Sequence, residues 1–223
     1  MATKSAPKAT SPFAFYLASY CVLQILLHAY LLTLTGRSLL EGSYQWSRMS
    51  AIAIGATLLQ LVDVAHCLVG LTKGNVAASL IQIFGRYAML RILDSTPVVQ
   101  DGTAAALLVI VYAAVEPCRY PYYALNALGV EVYPVTWLRY SAFLLLYPLG
   151  LSMEGVNMFL AIPYHYEHST WSLGGTLNLN GGVILGVFLV AVFPFIARFL
   201  LGHMLKQRRT KLALTPEKKN KLK

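Results

Sequence analysis

The chain contains 223 residues, 57% of them hydrophobic and only 12% charged, whereas a water-soluble domain carries about 25% charged residues; a soluble globule is excluded and an integral membrane protein is expected. A formal net charge of +9 could serve nucleic acid, but the Lys and Arg cluster at the two ends instead of spreading over one face, which excludes nucleic acid and leaves the membrane as partner.

Residues 1–11 form a polar leader with Lys4 and Lys8, expected to be disordered. A first apolar span covers residues 12–34; it is too long for the ~7 to 15 residues of a signal-peptide core, so the leader is expected to stay attached. After a connection over residues 36–47, a second span over 49–71 carries Asp63 and His66 on one face, three residues apart. The turn Lys73-Gly74-Asn75 joins it to a third span, 76–93, in which Gln82 and Arg86 lie one helical turn apart. A polar loop with Pro97 leads to a fourth span from residue 103, continuing into Glu116-Pro117-Cys118-Arg119-Tyr120 and Tyr122-Tyr123. These aromatics read as an interfacial segment. A fifth span covers 137–159, a glycine-rich linker follows Tyr164-His165-Tyr166-Glu167-His168, and a sixth span covers 182–201.

The expected architecture is thus an all-α membrane protein: a polar leader (1–11), a six-helix transmembrane bundle (12–203) and a basic tail (204–223). Six spans place both termini on one side. That side holds Lys4, Lys8, Lys73, Arg119 and the tail, the other only Arg37, Arg48 and Arg91, so both ends are expected in the cytosol. Cys21, Cys67 and Cys118 have no paired spacing and read as small buried hydrophobes.

The fifth span carries the polar groups of most interest. A charged side chain inside a bilayer costs about 2.5–3.5 kcal/mol on insertion scales and is a functional-site candidate by default. Tyr147 and Glu154, seven residues apart, return to nearly the same helix face with about 10 Å of rise between them. Pro148 and Gly150 stand between them and favour a bent, open wall. Arg86 needs a carboxylate partner, with Asp63, Glu116 and Glu154 available; a structural ion pair is favoured over proton transfer, because guanidinium does not readily release protons. His66 reads as a hydrogen-bonded core group or, less readily, a base. The stretch with His165, Glu167 and His168 lacks HExxH spacing and reads as a solvated polar turn, so no metal is assigned. His66-Cys67 followed by Lys73 lacks the arginine that would hold a phosphate bidentately, which argues against phosphatase chemistry.

The order Leu138-Arg139-Tyr140, Phe143 and Leu146-Tyr147-Pro148-x-Gly150-x-x-x-Glu154 resembles the very-long-chain 3-hydroxyacyl-CoA dehydratases, once called protein-tyrosine-phosphatase-like proteins. Glu116-Pro117-Cys118-Arg119-Tyr120, His66-Cys67-Leu68-x-Gly70 and Gln82-x-x-x-Arg86 match that family's other landmarks in order. Asp63 departs from it, standing where a longer Glu is expected.

The resemblance implies loss of water from a (3R)-3-hydroxyacyl-CoA to give the trans-2-enoyl-CoA in fatty-acid elongation. It further implies a Tyr147/Glu154 acid–base pair working without metal or cofactor, with Glu154 favoured as base and Tyr147 as acid or as holder of the thioester oxygen. Site support would come from Asp63, His66, Gln82, Arg86, Glu116 and Gly150, with the CoA phosphates at a cytosolic mouth near Lys73, Arg119, Tyr120 and Arg139. For the arginines, lipid-headgroup anchoring is the competing reading. Implied partners are the acyl-CoA substrate, membrane lipid, the condensing enzyme and the ketoacyl and enoyl reductases. The ending Lys219-Asn220-Lys221-Leu222-Lys223 resembles a dilysine retrieval signal of the endoplasmic reticulum, or else simply attracts anionic lipid. A non-catalytic scaffold of the same fold and a small transporter are the alternative function classes.

Overall fold

The computed structural model describes residues 12–72, 74–173 and 177–212. Its elements in order are α1 (Pro12–Leu40), α2 (Trp46–Leu59), α3 (Leu61–Leu68), α4 (Val76–Asp94), α5 (Pro97–Gln100), α6 (Thr103–Ala127), α7 (Tyr133–Ser141) and α8 (Phe143–His168). An antiparallel hairpin of β1 (Thr170–Leu173) and β2 (Leu177–Asn180) follows, then α9 (Gly181–Val187), a π-helical turn (Phe188–Val192) and α10 (Phe193–Leu212). Six segments are long and apolar enough to cross a membrane: α1, α2 with α3, α4, α6, α7 with α8, and residues 181–210.

The bundle gathers its buried polar side chains inside, among an apolar core, and turns large apolar side chains outward, as lipid solvation allows. In α1 the buried positions are Ala14, Leu17, Tyr20, Cys21, Gln24, His28, Leu31, Thr35 and Ser38, a stripe at helical spacing, while Phe13, Phe15, Leu23 and Leu26 face outward. That stripe lies along α6, where Ala105, Ala106 and Ala113 are wholly buried; small residues let two backbones approach when lipid gives no hydrophobic drive to associate. α1 and α6 run antiparallel, with the Tyr20 and Tyr120 rings edge-on at 6.1 Å and Leu31 clustered with Leu108 and Val109. One end of the bundle is tied by Trp46, whose backbone N–H donates to Asp101 at 2.6 Å and whose indole donates to Asp94 at 3.0 Å.

Local signals explain several helix ends. Gly42 and Gly70 adopt φ of 65° and 77°, open to glycine at no steric cost, and the next N–H reaches back in each case: Ser43 to Ser38 and Leu71 to His66, both at 2.8 Å. This is the Schellman stop. Asn75 caps α4 by accepting from the Ala78 N–H, and Asn180 caps α9 by accepting from Gly182 and Val183. Gly182 is required by packing: a Cβ there would meet the Tyr166 backbone N at 2.6 Å and the Ile162 carbonyl at 2.7 Å, so the start of α9 lies directly on α8.

The six spans expected from the sequence are present, with differences in detail. The second is broken at Gln60, where the backbone tightens through a Gln60 N–H bond to Thr57 at 3.2 Å. α1 runs six residues beyond its expected end, to Leu40. The segment read as interfacial is helical throughout despite Pro117 and Pro121, and its Glu116 and Tyr120 are fully buried. The stretch read as a solvated turn is the last turn of α8: His165 is buried, paired with the Thr96 hydroxyl at 2.9 Å and with Ser169 at 2.8 Å. The linker expected after it contains the β1–β2 hairpin, the one departure from an all-α fold among the described residues.

Candidate active site

A cavity of about 150 Å³ lies among α4, α6, α8 and the last span. Its walls are apolar, built from Val111, Val115, Leu151, Met158, Phe188 and Phe193, and its polar residues are Gln82, Arg86, Tyr112, Tyr147 and Glu154. The half-buried Tyr147 and Glu154 project from one side of α8 into this space. Gly150 between them is buried, and a Cβ on it would touch Val111 of α6 at 3.5 Å, so its lack of a side chain keeps this wall close to α6.

Behind the cavity runs a chain of opposite charges. Arg86 donates to Glu116 Oε1, Glu116 Oε2 lies 3.0 Å from Arg119 Nε, and Arg119 Nη2 donates to Asp63 at 3.2 Å. Tyr120 donates to the same Asp63 oxygen at 2.7 Å. Buried ions persist only when paired and hydrogen-bonded, and here three helices, α3, α4 and α6, contribute alternating signs. Asp63, which stands where a longer Glu is expected, reaches two donors.

The structure divides the residues expected at the site into groups. Gln82, Arg86, Tyr147, Gly150 and Glu154 meet at the cavity. Asp63, Glu116, Arg119 and Tyr120 form the ion cluster that continues from Arg86. His66 stands apart, accepting from or donating to the Tyr16 hydroxyl at 3.0 Å, with the Tyr16 and Tyr20 rings edge-on to it. Arg139 donates to the Tyr123 hydroxyl at 3.0 Å and lies over the Tyr123 and Tyr140 rings. Lys73 lies outside the described residues.

One residue at the cavity was not anticipated. Tyr112 donates its hydroxyl to Glu154 Oε1 at 2.6 Å, and the Arg86 guanidinium lies 5.0 Å from the centre of its ring. The available signal was a tyrosine within an Ala/Val-rich span, one helical turn before Glu116. Asn157 was also missed; fully buried, it donates to the Ala104 and Met153 carbonyls and joins α8 to α6.

Comparison with known proteins gives a consistent family. Residues 57–214 match the family model described as protein tyrosine phosphatase-like protein, PTPLA. A very-long-chain (3R)-3-hydroxyacyl-CoA dehydratase of Gallus gallus is 33% identical over 171 residues, covering 74% of this chain and 46% of that protein. Very-long-chain (3R)-3-hydroxyacyl-CoA dehydratase 2 of Homo sapiens is 29% identical over 163 residues, covering 71% and 64%. The very-long-chain (3R)-3-hydroxyacyl-CoA dehydratase of Danio rerio is 30% identical over 169 residues, covering 73% and 46%. The chain therefore spans about half to two thirds of the length of these relatives. No solved structure matches it. With the family model covering most of its length, the chain belongs to the protein tyrosine phosphatase-like (PTPLA) family.

Proposed function

We propose that this protein dehydrates very-long-chain (3R)-3-hydroxyacyl-CoA to the trans-2-enoyl-CoA, with Tyr147 and Glu154 as its acid–base pair. The observation that carries the reading is the meeting of a phenol and a carboxyl in one cavity inside the bundle, in a chain related to proteins named for this reaction. Glu154 takes the proton from the carbon alpha to the thioester, and that electron pair forms the C2–C3 double bond. The C3–O bond breaks, and the departing hydroxide takes the Tyr147 proton and leaves as water. The proton on Glu154 then returns to the Tyr147 oxygen, restoring both groups. Arg86, one step behind the pair, supplies fixed positive charge to a site that develops negative charge on the thioester oxygen.

The cavity, with the volume of about five waters at ~30 Å³ each, suits the thioester and its first carbons. The remaining acyl chain passes Leu151 and Phe193, which also line an apolar groove on the outer face of α8. Along the α7–α8 span Tyr147 lies about 12 Å and Glu154 about 22 Å from Arg139, so the CoA phosphates stay at the Arg139 end, while Arg119 and Tyr120, expected beside them, are instead held in the buried ion cluster. Both termini face the cytosol, in line with the basic residues near the ends. The protein resides in the endoplasmic reticulum beside the condensing enzyme and the two reductases of the elongation cycle.

The test is dehydration of a 3-hydroxyacyl-CoA by the purified protein, with Tyr147→Phe and Glu154→Gln as variants. Each is expected to lower kcat by about 100-fold or more. A variant that turns over near the parental rate removes that residue from the pair.

A further inference from the structure

Two phenols face Glu154, and they are not equivalent. Tyr147 lies on the same helix, borders the cavity and among the described residues makes no hydrogen bond. Tyr112 comes from α6, is 8% exposed, and donates to Glu154 Oε1 at 2.6 Å. The second oxygen of Glu154 accepts no hydrogen bond among the described residues, so one oxygen is held and the other is left for a ligand. Tyr112 is itself fixed on two sides. The Arg86 guanidinium covers its ring at 5.0 Å, a favourable cation–π arrangement, and Arg86 is anchored by Glu116, which Arg119 holds in turn.

We propose that Tyr112 is a positioning residue: its hydroxyl holds one oxygen of Glu154 so that the other is presented to the substrate, and the Arg86–Glu116–Arg119 chain fixes Tyr112 for that task. A carboxyl on a flexible side chain in an apolar cavity samples several rotamers. A short bond from a neighbouring helix selects one, which is the preorganisation that makes a general base effective. Tyr112 acts through Glu154, its hydroxyl being spent on Oε1, whereas the Tyr147 hydroxyl has no such bond among the described residues and is left for the substrate. The proposal rests on the reading of Glu154 as the base.

Tyr112→Phe isolates the hydroxyl, because the ring and its contact with Arg86 remain. In the purified protein assayed with a 3-hydroxyacyl-CoA, the variant is expected to lose roughly 10- to 100-fold in kcat with KM within about 2-fold, and to cause no further loss in a Glu154→Gln background. A parental kcat, or a loss of equal size in both backgrounds, overturns the proposal. A second readout does not depend on activity. A hydrophobic carbodiimide labels membrane carboxyls that are free to turn toward it, and mass spectrometry reads the label at Glu154. Tyr112→Phe is expected to speed that labelling several-fold, with labelling at Asp63 unchanged as the measure of an intact fold. An unchanged rate at Glu154, or an equal rise at Asp63, overturns the positioning role. If the parental protein labels as expected but dehydrates nothing, the proposed reaction fails while the Tyr112–Glu154 restraint stands.

Discussion

Replacing Glu116 with Gln removes the one negative charge that two guanidiniums share. Glu116 is fully buried, with one oxygen bonded to Arg86 and the other 3.0 Å from Arg119. After Glu116→Gln, Arg119 keeps Asp63 at 3.2 Å, but Arg86, buried at 6% exposure, loses its ion pair and keeps the face of Tyr112 and the more distant charge of Glu154 across the cavity. Breaking a buried pair by removing one partner costs about 3–5 kcal/mol, because an uncompensated charge is left behind. At about 2–4 °C per kcal/mol for a chain of this length, the unfolding midpoint should fall by roughly 6–20 °C. The assay is thermal unfolding in detergent micelles, followed by intrinsic fluorescence at matched protein concentration. Adding Arg86→Met to Glu116→Gln should recover a large part of the loss, since it removes the stranded charge. A Glu116→Gln midpoint within 2 °C of the parent, on the order of 1 kcal/mol or less, or a double variant worse than the sum of the singles, would refute the reasoning.

Other substitutions test separate parts of the structure. Gly182→Ala drives a methyl against the Tyr166 backbone N at 2.6 Å and should destabilise by about 1–3 kcal/mol, whereas Gly55→Ala, with open space at its Cβ, should be neutral or stabilising by up to ~1 kcal/mol; both are read from the same melting curves. Arg139→Gln should raise the KM for CoA esters several-fold with kcat little changed, measured by steady-state kinetics, and an unchanged KM removes Arg139 from phosphate binding. Burial and the nearby Asp101 carboxylate push the phenol of Tyr44, in the α1–α2 connection, up from its ordinary value. The folded state therefore holds this proton more tightly than the unfolded chain, so its contribution to stability is full below pH ~10 and falls at higher pH. Tyr44→Phe should flatten that alkaline fall in a pH series of unfolding midpoints.

What could be read from the sequence follows from what lipid demands locally. Each span is a long apolar run, so the number of spans and their approximate positions were visible without any knowledge of packing. Tyr147 and Glu154 share a helix, and helical phase alone placed them on one side. The Arg86 partner was narrowed to three carboxylates but not chosen, because the choice of Glu116 depends on how α4 sits beside α6. Tyr112 was missed for the same reason: its contact with Glu154 spans 42 residues of sequence. The break at Gln60 and the helical state of residues 163–168 were also hidden. In the first, apolar residues continue on both sides of the break; in the second, His165, which hydropathy assigns to water, is satisfied across the bundle by Thr96 and locally by Ser169.

The seam at Gly182 has a consequence for the last span. Where Gly182 lies on α8 the contact leaves no room for a methyl group, yet across its apolar stretch this span buries none of its residues. Beyond that point it meets the bundle through the partly buried Leu185, Leu189 and Phe193, and Phe188 and Phe193 complete the cavity wall. Any shift of this span against α8 therefore reshapes the space around Tyr147 and Glu154.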